Sequence, residues 1–474
     1  MPGAGSPGGA PGGMSTTPNL RLRSDQGRRT LAATIVGSGM VFLDSTVVNV
    51  AMPAIRRDLD TDLAGLQWVV TGYLLTLGAL LLIGGALGDL RGRRKVFLAG
   101  LLLFTLASAL CAAAPTLEVL ILARVLQGVG GAMLVPQSLA IVTAAFCDED
   151  RGAAIGAWSG LSGLSTAVGP FIGGYLVDAW SWRWAFLLNV PLAAVTWWLA
   201  RVIPETRDTD ANPRLDVPGA ITVTLGLAGV VYALIEGPAR GFGTPAIVFA
   251  GVVGAALLVA FVAIERRSSS PMVPLRLFRS RRFTGANLTT FTVYAALGAG
   301  FFFVSLQLQT VLGYSALEAG AASLPITVLL AVLSTRSGRL AQRIGPRPQM
   351  TVGPLVAAVG YLLLSRVDVG TTYWTGVFPG MVVFGLGLAI TVAPLVGAVL
   401  MSVEDRYTGT ASGINNAVSR VAQLLAIALL PFAAGLAGVE VGTEAFADGY
   451  ARATLMTSGL LAIGGVTAWL TVGE

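Results

Sequence analysis

Long apolar runs separated by short polar breaks are the feature that most constrains how this chain folds. From residue 31 onward, runs of about 20 residues recur, the length with which an α-helix crosses about 30 Å of hydrocarbon. We count fourteen runs, with predicted starts at residues 31, 66, 96, 117, 152, 184, 217, 244, 284, 317, 349, 373, 409 and 451. The pattern predicts an all-α integral membrane protein with 14 transmembrane helices.

The composition agrees with a membrane location and excludes several kinds of chemistry. Hydrophobic residues make up 54% of the chain and charged residues 12%, against roughly 25% charged residues in soluble domains. The chain has no histidine, and Lys95 is its single lysine. Histidine metal sites and Ser-His-Asp catalysis are therefore excluded, and a proton carrier must be a carboxylate, with or without help from arginine. We predict no metal site, no cofactor, no nucleotide-binding loop and no enzymatic activity.

A short pattern occurs twice, each time between two apolar runs. Gly85, Leu87, Gly92 and Arg94 reappear at the same offsets as Gly338, Leu340, Gly345 and Arg347. The copies follow the second and tenth runs, so the equivalent halves must be runs 1 to 6 and 9 to 14, with runs 7 and 8 inserted. The predicted domains are a tail (1–29), a six-helix bundle (30–205), two inserted helices (206–265), a basic loop (266–283) and a second six-helix bundle (284–474). Two such halves are typical of alternating-access transporters.

The positions of the arginines predict the orientation. Residues 1–29 are rich in Gly, Pro, Ser and Thr, end in arginines and contain no apolar signal-peptide core, so they are predicted to form a disordered basic tail. The breaks after runs 2, 8 and 10 are also rich in arginine and lie on the same side as this tail. By the positive-inside rule both termini are cytoplasmic. The net charge of +6 is assigned to these loops, and no nucleic-acid partner is predicted.

Three segments together resemble a known family. They are residues 43–53 (LDSTVVNVAMP), 67–73 (QWVVTGY) and 182–191 (WRWAFLLNVP). They resemble the major facilitator superfamily, and within it the fourteen-span drug/proton antiporters that export multiple drugs and antibiotics. The resemblance implies two pseudo-symmetric bundles in a 6+2+6 arrangement. It also implies a small drug-like substrate and protons as partners. The bias toward arginine, alanine and glycine favours a bacterial source, with the protein in the inner (cytoplasmic) membrane. One chain contains both halves, so it is expected to function as a monomer.

Asp44 is the predicted proton carrier. It lies just beyond the middle of the first run, where a charge costs about 2.5 to 3.5 kcal/mol on insertion scales. A carboxyl there tends to stay protonated until a cavity or a cation stabilises its ionised form, so it can exchange a proton for a cationic substrate. The alternative is a protonated structural residue that hydrogen-bonds Ser45, Thr46 or a neighbouring helix.

Arg124 is the second predicted coupling residue. It opens the string of residues 124–131 (RVLQGVGG) in the fourth run, which resembles the family's second motif, where the arginine assists proton transfer. Arginine keeps its charge, so it needs a carboxylate, a carbonyl or water inside the bundle. The alternative role is a fixed polar tie between helices.

Small residues line one face of the fifth run. Gly156, Gly160, Gly163, Ala167, Pro170 and Gly174 follow one another at steps of four or three residues. Residues 163–174, with Gly163, Gly169, Pro170, Gly173 and Gly174, resemble the motif that marks antiporters. A smooth face with a proline kink permits packing against the opposite half and a change in tilt. The alternative is ordinary packing through small residues.

The first copy of the repeated pattern resembles the cytoplasmic signature of the superfamily. Its members are Gly85, Asp89, Gly92, Arg93 and Arg94, and Gln342 replaces the acid in the second copy. An acid here can meet a helix N-terminus and arginines of the other half, holding the cytoplasmic side closed. We predict an asymmetric latch; the alternative is that the arginines only set the topology.

The substrate cavity has six candidate residues, taken from the resemblance. They are Tyr73, Gln127, Gln309, Asn415, Asn416 and Arg420. Arg420 is the single charge that we place within a membrane span of the second half, lining the cavity or facing a carboxyl that the sequence does not identify. Phe301, Phe302 and Phe303 either offer aromatic surface to a substrate or face lipid.

Three functions are open at this point. A proton-coupled exporter is favoured by the antiporter motif, which argues against an uptake symporter on the same fold. A membrane sensor without transport is disfavoured because the loops are short and no soluble domain is present. Asp44 favours cationic substrates, although neutral or zwitterionic drugs remain compatible with a carboxyl used solely for protons.

Overall fold

Helices form almost all of the ordered structure. The computed structural model describes residues 19–208, 215–404 and 407–473, in which the only strand-like pairing is an isolated bridge between Leu20 and Phe146. The helices are α1 (Asp25–Asp58), α2 (Leu63–Arg91), α3 (Arg93–Ala113), α4 (Leu117–Ala145), α5 (Asp148–Ala179), α6 (Arg183–Leu187), α7 (Asn189–Ala200), α8 (Val217–Arg240), α9 (Pro245–Arg267), α10 (Arg281–Thr310), α11 (Ala316–Ala321), α12 (Leu324–Ile344), α13 (Arg347–Leu364), α14 (Phe378–Met401), α15 (Thr408–Ala433) and α16 (Glu444–Thr471). A 3₁₀ turn, Leu275–Arg279, precedes α10, and a π turn, Tyr373–Val377, leads into α14. Residues 1–18 of the predicted tail lie outside the described residues, and α1 begins at Asp25.

Twelve helical segments in the described chain are long and apolar enough to cross a membrane. They are α1 to α5, α8, α9, α10, α11 with α12, the π turn with α14, α15 and α16. The predicted runs at residues 184 and 349 correspond to α6–α7 and α13, which are not among the twelve. Pro191 has no N–H for the Leu187 carbonyl, and the helix is interrupted at Leu188. Both segments still pack inside the protein, α7 against α1 and α3, and α13 against α14 and α16.

The helices form two groups with an added pair. Helices α1–α7 pack mainly with one another, as do α10–α16. The two groups meet along α1, α2 and α5 on one side and α10, α11, α12 and α15 on the other, an interface that we call the seam. Helices α8 and α9 pair with each other, and α8 also contacts α2 and α15. Trp68 on α2 donates its indole N–H to Glu236 on α8 at 2.9 Å, which fastens the pair to the first group.

The two ends of the bundle differ in charge. Arg91, Arg267 and Arg343 lie in the last turns of α2, α9 and α12, and these turns lie at one end, which we call the basic end. The junctions α1–α2 and α5–α6 lie at the other end, which we call the opposite end. Helix α5 therefore runs from the basic end at Asp148 to the opposite end at Ala179.

The repeated sequence pattern forms the same local structure twice. Gly92 and Gly345 have φ values of 107° and 78°, which glycine adopts without the strain that a side chain would cause. Two residues later, Arg94 donates to the Arg201 carbonyl at 3.2 Å, just beyond α7. Its counterpart donates likewise, from Arg347 to the Trp469 carbonyl of α16 at 3.0 Å. Each arginine thus ties the helix after the turn to the last helix of its own group.

Candidate functional site

A fully buried ion pair lies inside the first helix group. Asp44 and Arg124 are 0% and 1% exposed, and Nη1 of Arg124 donates to Oδ2 of Asp44 at 2.5 Å. Arg124 also donates through Nε to the Val69 carbonyl at 3.1 Å, and its guanidinium carbon lies 4.1 Å from the centre of the Tyr73 ring. Each member of the pair is therefore the main partner of the other. The hydroxyls of residues 45 and 46 donate instead to main-chain carbonyls.

Three neutral side chains complete a network around the pair. Nε2 of Gln127 and Nδ2 of Asn189 donate to Oδ1 of Asp44 at 2.8 and 3.2 Å. Ser108 accepts from both amides, at 3.2 and 2.9 Å. We call Asp44, Ser108, Arg124, Gln127 and Asn189 the charged network. It joins α1, α3, α4 and α7, and removing one member of a buried ion pair typically costs about 3–5 kcal/mol.

Local sequence places these groups together. Arg124 and Gln127 are three residues apart, so they share one face of α4, and Arg124 donates to Gln127 Oε1 at 2.7 Å. The helix break that Pro191 imposes puts Asn189 at the start of α7, beside Asp44. Oδ1 of Asn189 is buried and has no hydrogen-bond partner in the described structure. The charged network therefore holds one vacant acceptor next to its carboxylate.

The second helix group has a neutral counterpart. Nδ2 of Asn415 on α15 donates to Oδ1 of Asn287 at 3.1 Å and to the Thr290 hydroxyl at 2.7 Å, both on α10. Asn416 donates within its own helix, to the Ser412 carbonyl at 3.1 Å. Of these two cavity candidates, the structure places Asn415 between helices and Asn416 against its own backbone.

Prolines expose carbonyl groups that donors across the seam bind. Pro53 has no N–H for the Asn49 carbonyl, and the Ser305 hydroxyl donates to that carbonyl at 2.8 Å. Pro431 likewise frees the Ile427 carbonyl, which accepts from Gln67 at 2.7 Å. In both cases the proline lies in one helix group and the donor in the other. These bonds hold the seam together toward the opposite end.

Gln309, another cavity candidate, belongs to the same contact region. Its amide donates to the Val50 carbonyl on α1 and to the Ser305 hydroxyl, both at 3.1 Å. Asp178 at the end of α5 adds a further tie across the seam. Its carboxylate accepts from the backbone N–H groups of Ala316 and Leu317 at 3.1 and 2.7 Å, the first turn of α11.

The glycines of the α5 motif have different surroundings. A methyl group added at Gly169 or Gly173 would strike α1, and one added at Gly174 would lie 2.3 Å from the Ala316 carbonyl oxygen. Pro170 frees the Thr166 carbonyl, which accepts from Thr46 at 3.0 Å. At Gly163 the added methyl would meet no atom of the described residues within 4 Å. The motif is therefore packed at the opposite end of α5 and open toward the basic end.

The predicted latch residues make contacts within their own half. Asp89 accepts from Nε and Nη2 of Arg93 at 2.9 and 2.8 Å, and the Arg94 backbone N–H donates to Glu205 at 3.0 Å. The Gly85 carbonyl accepts from Gln137 at 3.2 Å. Among the described residues, Asp89 has no side-chain partner in the second helix group.

Aromatic and charged candidates of the second half also have defined places. Phe302 and Phe303 are fully buried, so neither faces lipid. Arg420 lies on α15 at the seam, with its guanidinium carbon 5.4 Å from the Phe42 ring centre.

Sequence analysis did not identify four further polar residues of these contacts, which are Gln67, Ser108, Asn189 and Ser305. A polar residue inside an apolar run was the available signal for each of them.

A family comparison decides the class of the protein. Residues 34–427 match the family model described as Major Facilitator Superfamily. The chain belongs to the major facilitator superfamily. It is therefore a membrane transporter and not an enzyme.

Relatives and solved structures agree with this assignment. A puromycin resistance protein of Streptomyces alboniger is 36% identical over 447 residues, covering 91% of this chain and 89% of that protein. A methylenomycin A resistance protein of Streptomyces coelicolor is 33% identical over 446 residues, covering 94% and 92%. A peptide transporter crystallised with sulfate has a TM-score of 0.70 at 13% identity, with 96% of each chain covered. An inward-facing bacterial homologue of the human lysosomal transporter Spinster has a TM-score of 0.63 at 19% identity, covering 95% and 97%. At these identities the two structures show the fold alone.

Proposed function

We propose that this chain exports lipophilic drugs or antibiotics across the bacterial cytoplasmic membrane in exchange for protons. Membership of the superfamily and relatives named for puromycin and methylenomycin A resistance support export of such compounds. At about 150 mV, one proton that moves inward releases about 3.5 kcal/mol, which suffices for one-for-one exchange against a few-hundred-fold gradient of a neutral compound.

The charged network is the observation that supports proton coupling. Ionised Asp44 holds helices α1, α4 and α7 together through Arg124, Gln127 and Asn189. When Asp44 takes a proton, its ion pair with Arg124 is lost and the carboxyl gains an O–H that needs an acceptor. Rotation of the Asn189 amide brings the vacant Oδ1 toward that O–H. Protonation thereby changes the bonds that fix α1 against two neighbours, which couples proton binding to helix movement.

Alternating access is supported by the unequal packing of the seam. By the positive-inside rule the basic end is cytoplasmic, with both termini on that side. The contacts of Ser305, Gln67 and Asp178 close the external end, while the face of α5 around Gly163 is open toward the cytoplasm. We assign the described state as inward-facing, in a monomeric arrangement of six, two and six spans.

The latch around Asp89 forms when the cytoplasmic side is closed, in the outward-facing state. When the cytoplasmic side closes, Asp89 exchanges its bond with Arg93 for contacts with the second helix group. The repeated glycine turns at Gly92 and Gly345 support a duplicated scaffold, in which α8 and α9 are the insert. The Asp89 latch is then needed for turnover and not for the inward-facing fold.

Gradient-driven uptake into everted membrane vesicles tests the proposal. Native protein should accumulate a fluorescent lipophilic compound inside vesicles with an acidic lumen, and collapse of the pH gradient should stop it. Asp44→Asn removes the titrating group and should lower this uptake about a hundredfold. Asp58→Asn, on the same helix but bonded to Arg183 near the surface, is the matched control and should leave uptake unchanged.

Other outcomes separate the alternatives. Uptake that persists in Asp44→Asn and still needs the gradient would place proton coupling on a different residue. Gradient-driven movement out of the everted vesicles would identify an uptake symporter. Native, folded protein that moves no compound of a broad panel would contradict drug export.

A further inference from the structure

Arg420 carries a charge that no carboxylate of the described chain neutralises. It lies twelve residues after Thr408, the first residue of α15, which is about 18 Å along the helix axis from the basic end. It makes no hydrogen bond and no ion pair with any described residue. Arg124, in contrast, forms an ion pair with Asp44.

The surroundings of Arg420 are aromatic and partly open. Its guanidinium faces the ring of Phe42 on α1, and the phenols of Tyr73 on α2 and Tyr294 on α10 are near enough to interact with its charge. A methyl group added at Gly78 on α2 would lie 3.0 Å from the Arg420 Cβ. Arg420, Phe42 and Tyr294 are all partly exposed. The side chain therefore lies at the seam, between helices of both groups, where a bound compound can reach it.

Within the membrane-spanning part of the seam, Arg420 is a positive charge that has no carboxylate partner among the described residues. Asp44 and Arg124 compensate each other inside the first helix group, with both side chains fully buried. An arginine does not give up its proton at accessible pH, and an uncompensated charge at this depth is costly.

We propose that Arg420 binds the anionic group of the exported compound, while an aromatic part of that compound lies against Phe42 and Tyr294. This inference rests on the proposed export function and names its substrate class: lipophilic carboxylates, sulfonates or phenolates. A planar guanidinium binds such groups through paired N–H donors. The structure thereby reverses the preference for cations that Asp44 alone suggests from sequence.

The charge of the substrate has an electrical consequence. If one anion leaves the cell for each proton that enters, two charges move in the same electrical direction. A membrane potential that is negative inside the cell then drives both movements, at about 2.3 kcal/mol per charge for 100 mV. One-for-one exchange of a monovalent cation for a proton moves no net charge.

Binding of two related dyes to the purified full chain tests the proposal. Fluorescein is an anion and rhodamine 123 a cation, and both share a xanthene ring system, so their fluorescence anisotropy gives comparable affinities. We expect native protein to bind fluorescein at least about tenfold tighter than rhodamine 123, which corresponds to about 1.4 kcal/mol. Arg420→Gln should remove that preference. Arg420→Lys should retain part of it, because the charge stays while the paired N–H donors are lost.

A matched control excludes a general loss of positive charge. Arg183→Gln removes an arginine near the opposite end, where Arg183 is paired with Asp58, and should leave the dye preference unchanged. A native preference for rhodamine 123 would overturn the inference. The inference would also be overturned if Arg420→Gln weakened the binding of both dyes equally and Arg420→Lys weakened it to the same extent. That result would assign Arg420 a structural role.

Transport under an imposed potential separates this inference from the proposed function. In everted vesicles, a potassium diffusion potential with a positive lumen should accelerate fluorescein uptake by native protein and not by Arg420→Gln. Binding of fluorescein through Arg420 without any gradient-driven uptake would refute proton-coupled export and keep the binding site. Gradient-driven uptake of rhodamine 123 with no uptake of fluorescein would keep the exporter and refute the anion site.

Discussion

The two ends of α5 have related sequences and opposite environments. At the opposite end, Gly174 contacts the Ala316 carbonyl so closely that a methyl group would not fit, and Asp178 caps α11. Toward the basic end, a methyl group added at Gly156, Gly160 or Gly163 would have no described neighbour within 4 Å. A face lined with small residues therefore creates the possibility of close packing along its whole length. Contacts with the second helix group decide which end of this face is closely packed.

The prolines contribute to the packing of the closed end. Pro53 and Pro431 each free a carbonyl, and the donors Ser305 and Gln67 bind these carbonyls from across the seam. Such bonds can be broken and remade without unwinding a helix, because the acceptors are not part of the helix hydrogen-bond ladder. The closed end is thus held by separable contacts, as the proposed alternating access requires.

The largest expected effect comes from filling the closed end. Gly174→Leu adds a side chain where the Ala316 carbonyl leaves no space, and overpacking costs about 1–3 kcal/mol or more. We expect the seam to separate at the opposite end. Spin labels on cysteines introduced at residues 180 and 439 should report a longer distance than in the native background. An unchanged distance in folded protein would show that the contact around Gly174 does not hold this end closed.

Removal of the Asp178 cap should have the next largest effect. Asp178→Ala deletes two charge-assisted bonds to the backbone of α11, worth about 1.5–3 kcal/mol. The same pair of labels should show a larger population of the separated state. Asp148→Ala, at the basic end of the same helix, removes an exposed carboxylate paired with Arg151 and should leave the distances unchanged.

Loss of a single bond to a proline-freed carbonyl should have a smaller effect. Gln67→Leu leaves the Ile427 carbonyl without its donor. In the same distance measurement, the free-energy difference between the closed and separated populations should fall by about 1 kcal/mol. Thr71→Val is the control on α2, because within the described part of the chain the Thr71 hydroxyl bonds only to the Gln67 carbonyl of its own helix. Equal effects of the two variants would argue against a role for the Gln67 bond across the seam.

The smallest effect on stability is expected at the open end. Gly163→Ala meets no neighbour in the described state and should raise thermal stability by up to about 1 kcal/mol, since alanine favours helix more than glycine. Transport should nevertheless slow, because this face packs when the basic end closes. Unchanged transport with raised stability would mean that α5 never packs at this end.

Sequence reasoning located the helical segments and singled out Asp44 and Arg124, but it did not identify their partnership. The apolar runs correctly located the helical segments, and Asp44 and Arg124 were singled out separately. Their pairing depends on the packing of α1 against α4, which no local pattern specifies. Asn189 escaped assignment because its position depends on the break before Pro191. The network in the second group, centred on Asn415, is neutral, a difference between halves that the repeated glycine turns do not reveal.

The sequence by itself determined the membrane-spanning class, the repeated turns and the residue types available for chemistry. Helix length and apolarity follow from local composition, and glycine turns follow from backbone sterics. Only the tertiary structure decided that Asp44 pairs with Arg124, that Arg420 has no carboxylate partner among the described residues, and that one end of the seam is closed. Those properties depend on distances between residues far apart in the chain, such as the 2.5 Å between Arg124 and Asp44. Charge compensation and packing act through space, so they emerge only when the helices are assembled.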